Sequence, residues 1–225
     1  MARAVRTVGL QERCLRSEPL VSLAAILVDW RAAYGQQMLQ KRSRTGRVFD
    51  FVKGLRFSAN LIYFLRQILS RSEIQVHWGQ VVADNDGLFS PECDVIIHRR
   101  GHCGCWNGGK SDQVMEFKFI RRSDVLAVIS CKSFLKGIGQ EHLDYYARMK
   151  PYVRRRRLWL FAECVPVGKE FKLLRDAKNA GYEKCWYLYS WDGRNSRHQQ
   201  DRHLWEDFVA TVERLDNRRK IGARS

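Results

Sequence analysis

The chain has 225 residues, of which 45% are apolar and 28% charged, so it can bury a sizeable core and is not a disordered chain. Its 40 lysines and arginines against 24 acids leave a formal charge of +16, an excess that suits a polyanionic partner such as nucleic acid. No apolar run reaches the roughly 18 residues of a membrane span, and 7 scattered cysteines argue against a secreted disulfide framework and for a cytoplasmic (or nucleoid-associated) setting.

The basic opening "MARAVRTVGLQERC" lacks the apolar stretch of a secretory leader. Residues 20–39, "LVSLAAILVDWRAAYGQQML", read as a helix, and "QKRSRTGR" at 40–47 as a basic loop. From Leu55 to Leu69, Phe57, Leu61, Phe64, Leu65 and Ile68 recur at helical spacing. Strand-like segments follow: "IQVHWGQVVA" at 74–83, the turns "DNDG" and "LFSPE", then the short β-branched "CDVIIH" at 93–98. "RRGHCGCWNGGKSD" is a glycine-rich loop without periodicity. "VMEFKFI" alternates apolar and polar side chains, and "RRSD" turns the chain into "DVLAVISCK", whose continuous apolar character marks a central strand.

A helix is expected from about Gln140 to Met149, interrupted by Pro151. "RRRR" at 154–157 leads into the buried-looking strand "LWLFAECV"; residues 170–180 are helical and stop at Gly181. "KCWYLYSW" is a further strand. "LWEDFVATVERL" then places Leu204, Trp205, Phe208, Val209, Val212 and Leu215 on one side of a last helix. This alternation predicts an α/β fold, a mixed central sheet flanked by helices, as one domain over residues 1–225. Residues 1–45 would be an N-terminal helical extension, 50–165 the core, and 166–225 a C-terminal strand and helices.

Two charged residues stand out against the apolar strands. Asp94 lies at the start of "CDVII", and Lys132 follows 38 residues later, where "VLAVISCK" gives out. Should these strands be neighbours, an acid and a lysine meet at one edge of the sheet. Phosphodiester hydrolysis uses that pair. A carboxylate holds Mg²⁺, a hard cation that prefers oxygen ligands, and a lysine orients water or stabilises developing negative charge.

"SPECDVIIH" followed by "VLAVISCKSFL" resembles the PD-(D/E)XK nuclease superfamily, in which an Asp opens one strand and an acid-x-Lys lies on the next. Within it the chain is similar to uncharacterised restriction-nuclease-like domains, over about residues 50 to 165. The resemblance implies a restriction-endonuclease-like αβββαβ core, with "SANLIYFLRQIL" as its opening helix and "GQEHLDYYARM" as the helix after the lysine. It also implies a DNA endonuclease using Mg²⁺ (or Mn²⁺), with Asp94 as a metal ligand and Lys132 as the catalytic lysine; a homodimer is possible. Two positions depart from the pattern. Ser130 stands where the family has an acid, and Asn60 where its opening helix often carries Glu.

Ser130 leaves three outcomes. Some members of the superfamily that the chain resembles keep Ser here and take the carboxylate from the following helix, which implies Glu141 or Asp144, with Glu141 then sharing the metal with Asp94; Glu163 is a weaker candidate. A different register offers Glu116-Phe117-Lys118, a literal acid-x-Lys 22 residues after Asp94 but on a half-exposed strand. The third outcome is a nuclease-fold module that binds nucleic acid without cleaving it. For phosphate contact the sequence offers Arg99, Arg100 and Lys110 near Asp94, and Arg154, Arg155, Arg156 and Arg157 within "RMKPYVRRRR". His98, His102, Cys103 and Cys105 are zinc-ligating types without the spacing of a zinc knuckle, more simply read as part of a glycine-rich loop near the cleft.

Overall fold

The computed structural model describes residues 46–69, 73–83, 88–100, 117–153, 157–191, 198–200 and 202–222. The chain divides into two compact units, Met1–Phe49 and Asp50–Ser225, and the sheet and sites below belong to the second. The helix expected at 20–39 lies outside the described residues. Among the described residues, no helix is long and apolar enough to cross a membrane.

The first described helix, α1 (Gly46–Ile68), starts well before Leu55 and takes in the last two residues of the loop expected at 40–47. No proline interrupts "GRVFDFVKG", and an interior glycine such as Gly54 costs only about 1 kcal/mol relative to alanine. Strands β1 (Ile74–Val82) and β2 (Cys93–Arg99) then pair antiparallel. β3 (Phe117–Arg121) and a 3₁₀ turn at Arg122–Asp124 lead into β4 (Val125–Lys132). After β4 come α2 (Gln140–Met149), β5 (Leu158–Pro166), α3 (Glu170–Asn179), β6 (Lys184–Trp191), β7 (His198–Gln200) and α4 (Arg202–Gly222).

The strands form one mixed sheet in the order β3-β1-β2-β4-β5-β6-β7. β2 and β4 are antiparallel, with Val95 opposite Ile129 and Ile96 opposite Val128, while β4, β5 and β6 run parallel. As the apolar runs predict, β4 and β5 are buried almost throughout. β3 is an edge strand, parallel to β1. β7 had no sequence signal: "HQQ" is short and polar, and it is a strand because the edge of β6 offers it an antiparallel ladder.

Helices cover both faces of the sheet. On one, Met149 of α2 and Leu173 and Ala177 of α3 pack into a cluster with Ile96, Val128 and Leu160. On the other, Phe161 of β5 meets Phe57 of α1 at 5.8 Å and Phe208 of α4 at 4.6 Å between ring centroids. Two glycines are required by this packing. Gly181 ends α3 at φ 106°, and a Cβ there would overlap the Tyr146 ring. Gly79 follows a bulge in β1, and a Cβ there would run into the Lys118 carbonyl of β3.

Candidate active site

Asp94 and Lys132 reach one site because their strands are direct neighbours. One residue beyond the pair Val95–Ile129, the antiparallel register brings Asp94 alongside Ser130, and Lys132 lies two residues further on the same face. Asp94, Ser130 and Lys132 line a cavity of about 320 Å³, completed by Glu92, Glu141 and His142 among others. Asp94 Oδ2 accepts a hydrogen bond from the Cys131 backbone N–H at 2.8 Å. Burial raises the Asp94 pKa, and the nearby Glu92 charge pushes the same way; the Cys131 hydrogen bond and the Lys132 ammonium oppose them.

Ser130 is 2% exposed, so the slot that carries an acid in the motif holds a buried hydroxyl. The neighbouring helix contributes His142, 4% exposed, at its third position. His142 N–H donates to Gly139 O at 3.0 Å, and Gly139 N–H donates back to His142 Nδ1 at 3.2 Å. This reciprocal pair closes the helix start in the manner of a capping box. With Nδ1 accepting, the neutral ring carries its proton on Nε2, and Nε2 is buried without a hydrogen-bond partner. Burial and the Lys132 charge lower the His142 pKa and favour that neutral ring.

Neither a family model nor a curated protein matches the chain. Solved structures do. NucC from P. aeruginosa ATCC27853, in its cAAA-bound form, superposes with a TM-score of 0.50 at 13% identity, over 85% of this chain and 90% of that one. NucC from E. coli MS115-1, also cAAA-bound, gives a TM-score of 0.47 at 14% identity, over 85% and 89% of the two chains. The fold is the restriction-endonuclease-like αβββαβ core. In it α1, β1, β2, β4, α2 and β5 are the core elements, and β3 is an addition at the edge.

The placement of the sequence-derived residues follows from this order. Glu141 borders the cavity with a side chain 82% exposed, 3.5 Å from His142 Nδ1. Asp144 is outside the cavity lining and accepts a hydrogen bond from Gln140 at 2.7 Å. Glu163 is buried and accepts a 2.9 Å hydrogen bond from Tyr189. Glu116 lies outside the described residues. Lys118 is on β3, opposite Gly79, so β1 stands between it and the strand of Asp94. There its charge acts on His77 and His98 instead.

The arginines separate by strand direction. Arg99 and Arg100 are exposed at the far end of β2, about 16 Å along the strand from Asp94. Arg157 precedes β5 and donates to Val125 O at 3.1 Å, at the end of β4 remote from Lys132. Lys110, Arg154, Arg155 and Arg156 lie outside the described residues. From the same basic cluster it is Arg148, on α2, that borders the cavity. Of the zinc-type residues only His98 is described, and both its ring nitrogens are engaged, Nδ1 with Arg99 O and Nε2 with His77 Nδ1, each at 2.8 Å.

Sequence reasoning passed over Glu92. It sits two residues before Asp94, immediately ahead of β2, and borders the same cavity. The two acids of "SPECD" carried that signal, and Glu92 was hidden because it precedes the apolar run. Trp78 Nε1–H donates to Glu92 Oε1 at 2.7 Å, and the Tyr145 hydroxyl donates to the Glu92 carbonyl at 3.3 Å.

Among the described residues, no three His, Cys, Asp or Glu side chains converge to hold a metal ion. The carboxylates that border the cavity, Glu92, Asp94 and Glu141, are oxygen donors of the kind that fits Mg²⁺, which is bound through one or two carboxylates and otherwise by water and substrate phosphates.

Proposed function

We propose that this protein is a Mg²⁺- or Mn²⁺-dependent endonuclease that hydrolyses phosphodiester bonds in DNA. The observation that carries the reading is the meeting of Asp94 and Lys132, from adjacent strands β2 and β4, in one cavity. The restriction-endonuclease-like fold and the formal charge of +16 support it. Asp94 would hold the metal with a second carboxylate from the cavity wall. Bound there, Mg²⁺ supplies polarisation of the phosphoryl group and a water of lowered pKa.

The remaining roles fall to the chain itself. The Cys131 N–H fixes one Asp94 oxygen and leaves the other to the cavity. Lys132 places a positive charge where the phosphorane and leaving oxygen become negative, and in a half-buried site that charge is worth more than in water. Arg148, exposed at the border, gives a phosphate on the substrate strand a point of attachment.

The buried Ser130 favours a second reading, a module that binds nucleic acid and has lost cleavage. Incubating supercoiled plasmid and single-stranded DNA with the protein in Mg²⁺ and in Mn²⁺, beside Lys132→Ala and Lys118→Ala, separates the two. The nuclease reading expects nicking that disappears with Lys132→Ala and survives Lys118→Ala. Salt-sensitive binding by the wild type without cleavage in either metal leaves the binding module.

A further inference from the structure

We propose that Glu92, and not an acid of the following helix, is the second carboxylate of the site that Asp94 begins, so that the two together bind a hard divalent cation. The proposal deepens the nuclease reading and rests on it for the chemistry, while the binding itself is testable alone.

Four observations converge on Glu92. It precedes Asp94 by two residues, just ahead of β2, and both border the cavity. Its carboxylate is already oriented: the Trp78 indole N–H holds Oε1 at 2.7 Å and leaves Oε2 without a described partner. Metal-ligating carboxylates are characteristically hydrogen-bonded in this way from behind. The indole is itself fixed, edge-on to Phe117 at 5.0 Å between ring centroids and 82° between planes. Finally, the Tyr145 hydroxyl ties the Glu92 carbonyl to α2 at 3.3 Å, so the backbone at this position is anchored as well as the side chain.

Glu141 has none of this support. Its side chain is 82% exposed, and His142 Nδ1 at 3.5 Å already accepts the Gly139 N–H, so it offers the carboxylate no proton while the ring is neutral. A long flexible acid held by nothing loses more side-chain entropy on ligating a metal than one already fixed.

The cavity wall also carries the charge that a phosphate would meet. Lys132 and Arg148 border it together with Glu92 and Asp94, so a cation held by the two acids would lie among groups that suit a phosphate. His142 lines it too, 4% exposed, with a buried Nε2 that has no hydrogen-bond partner.

The test uses Tb³⁺, a hard oxygen-seeking ion, on the full-length chain, with tryptophan excited and Tb³⁺ emission read. The indole beside Glu92 is the antenna. Emission that Mg²⁺ and Mn²⁺ displace is expected from the wild type, with most of it gone in Trp78→Phe. Glu92→Gln and Asp94→Asn should each weaken Tb³⁺ affinity about tenfold or more, and Asp144→Asn should leave it unchanged. Glu92 is exposed, so Glu92→Gln should melt with the wild type, which a thermal scan checks. Affinity retained in Glu92→Gln but lost in Glu141→Gln overturns the proposal, as does a wild type that binds neither Tb³⁺ nor Mn²⁺. Metal-dependent plasmid cleavage unaffected by Glu92→Gln would sink this assignment and leave the nuclease reading standing. Glu92-dependent metal binding without any cleavage would do the reverse.

Discussion

Mild acid should destabilise this protein through one buried histidine pair, before most of its carboxylates titrate. With both rings neutral, His98 Nδ1–H donates to Arg99 O and His98 Nε2 accepts from His77 Nδ1–H; with both charged, two N–H groups would face each other and the bond between the rings is lost. Burial, then His98, Arg66 and Lys118, lower the His77 pKa from 6.5 to about 3. Asp124 acts the other way, on His98, whose pKa is nonetheless lowered by burial. In the unfolded chain the ring titrates near 6.5, so below that pH the unfolded state binds a proton that the native state refuses. The stability contribution is therefore complete above pH 6.5, falls as pH drops, and stops falling near pH 3 where the native ring also charges. At about 1.4 kcal/mol per pH unit, the loss by pH 5 is about 2 kcal/mol, a sizeable share of the roughly 5–15 kcal/mol that holds a domain together. Urea unfolding at pH 8, 7, 6 and 5 would measure it. His77→Gln should flatten the curve between pH 7 and 5, a window that ends above most carboxylate pKa values. Parallel curves for wild type and variant would refute the argument.

Two further outcomes follow from the packing. Phe161, fully buried between Phe57, Trp186 and Phe208, should cost about 3–5 kcal/mol on replacement by alanine, read as a lowered urea midpoint; a loss under about 1 kcal/mol would mean that the aromatic layer is not the core of that face. Burial pushes the thiols of Cys93 and Cys185 up to about 12, raises that of Cys131, and leaves Cys164 with no exposed surface. Alkylation at pH 8 followed by peptide mapping should find these four protected until the protein is denatured.

The elements of this fold were legible because their signals are local. "VLAVISCK" and "LWLFAECV" are too uniformly apolar to be anything but central strands, and the helix at Gln140–Met149 is bounded by Gly139 and Pro151. β7 was not legible, since "HQQ" has no apolar pattern and becomes a strand only against β6. At the site, the pairing of Asp94 with Lys132 was readable from their places at strand ends. Lys118 stayed as the alternative register, because "MEFKF" spells the motif better although its strand is half-exposed; in the sheet β1 lies between β3 and β2, so Lys118 and Asp94 are not on neighbouring strands.

The sequence by itself determined the α/β alternation, the burial of β4 and β5, and the two charged residues that interrupt apolar strands. Tertiary structure decided which charges share a space. Arg99 is five residues from Asp94 in sequence, yet an extended strand carries it away from the cavity, while Arg148, 54 residues from Asp94, is returned to it by the crossover from β4 into α2. Glu92 gains its fixed orientation only from Trp78 and Tyr145, on two other elements. Strand order and direction arise from hydrogen-bond ladders and helix packing between segments distant in sequence, and no local window contains that information.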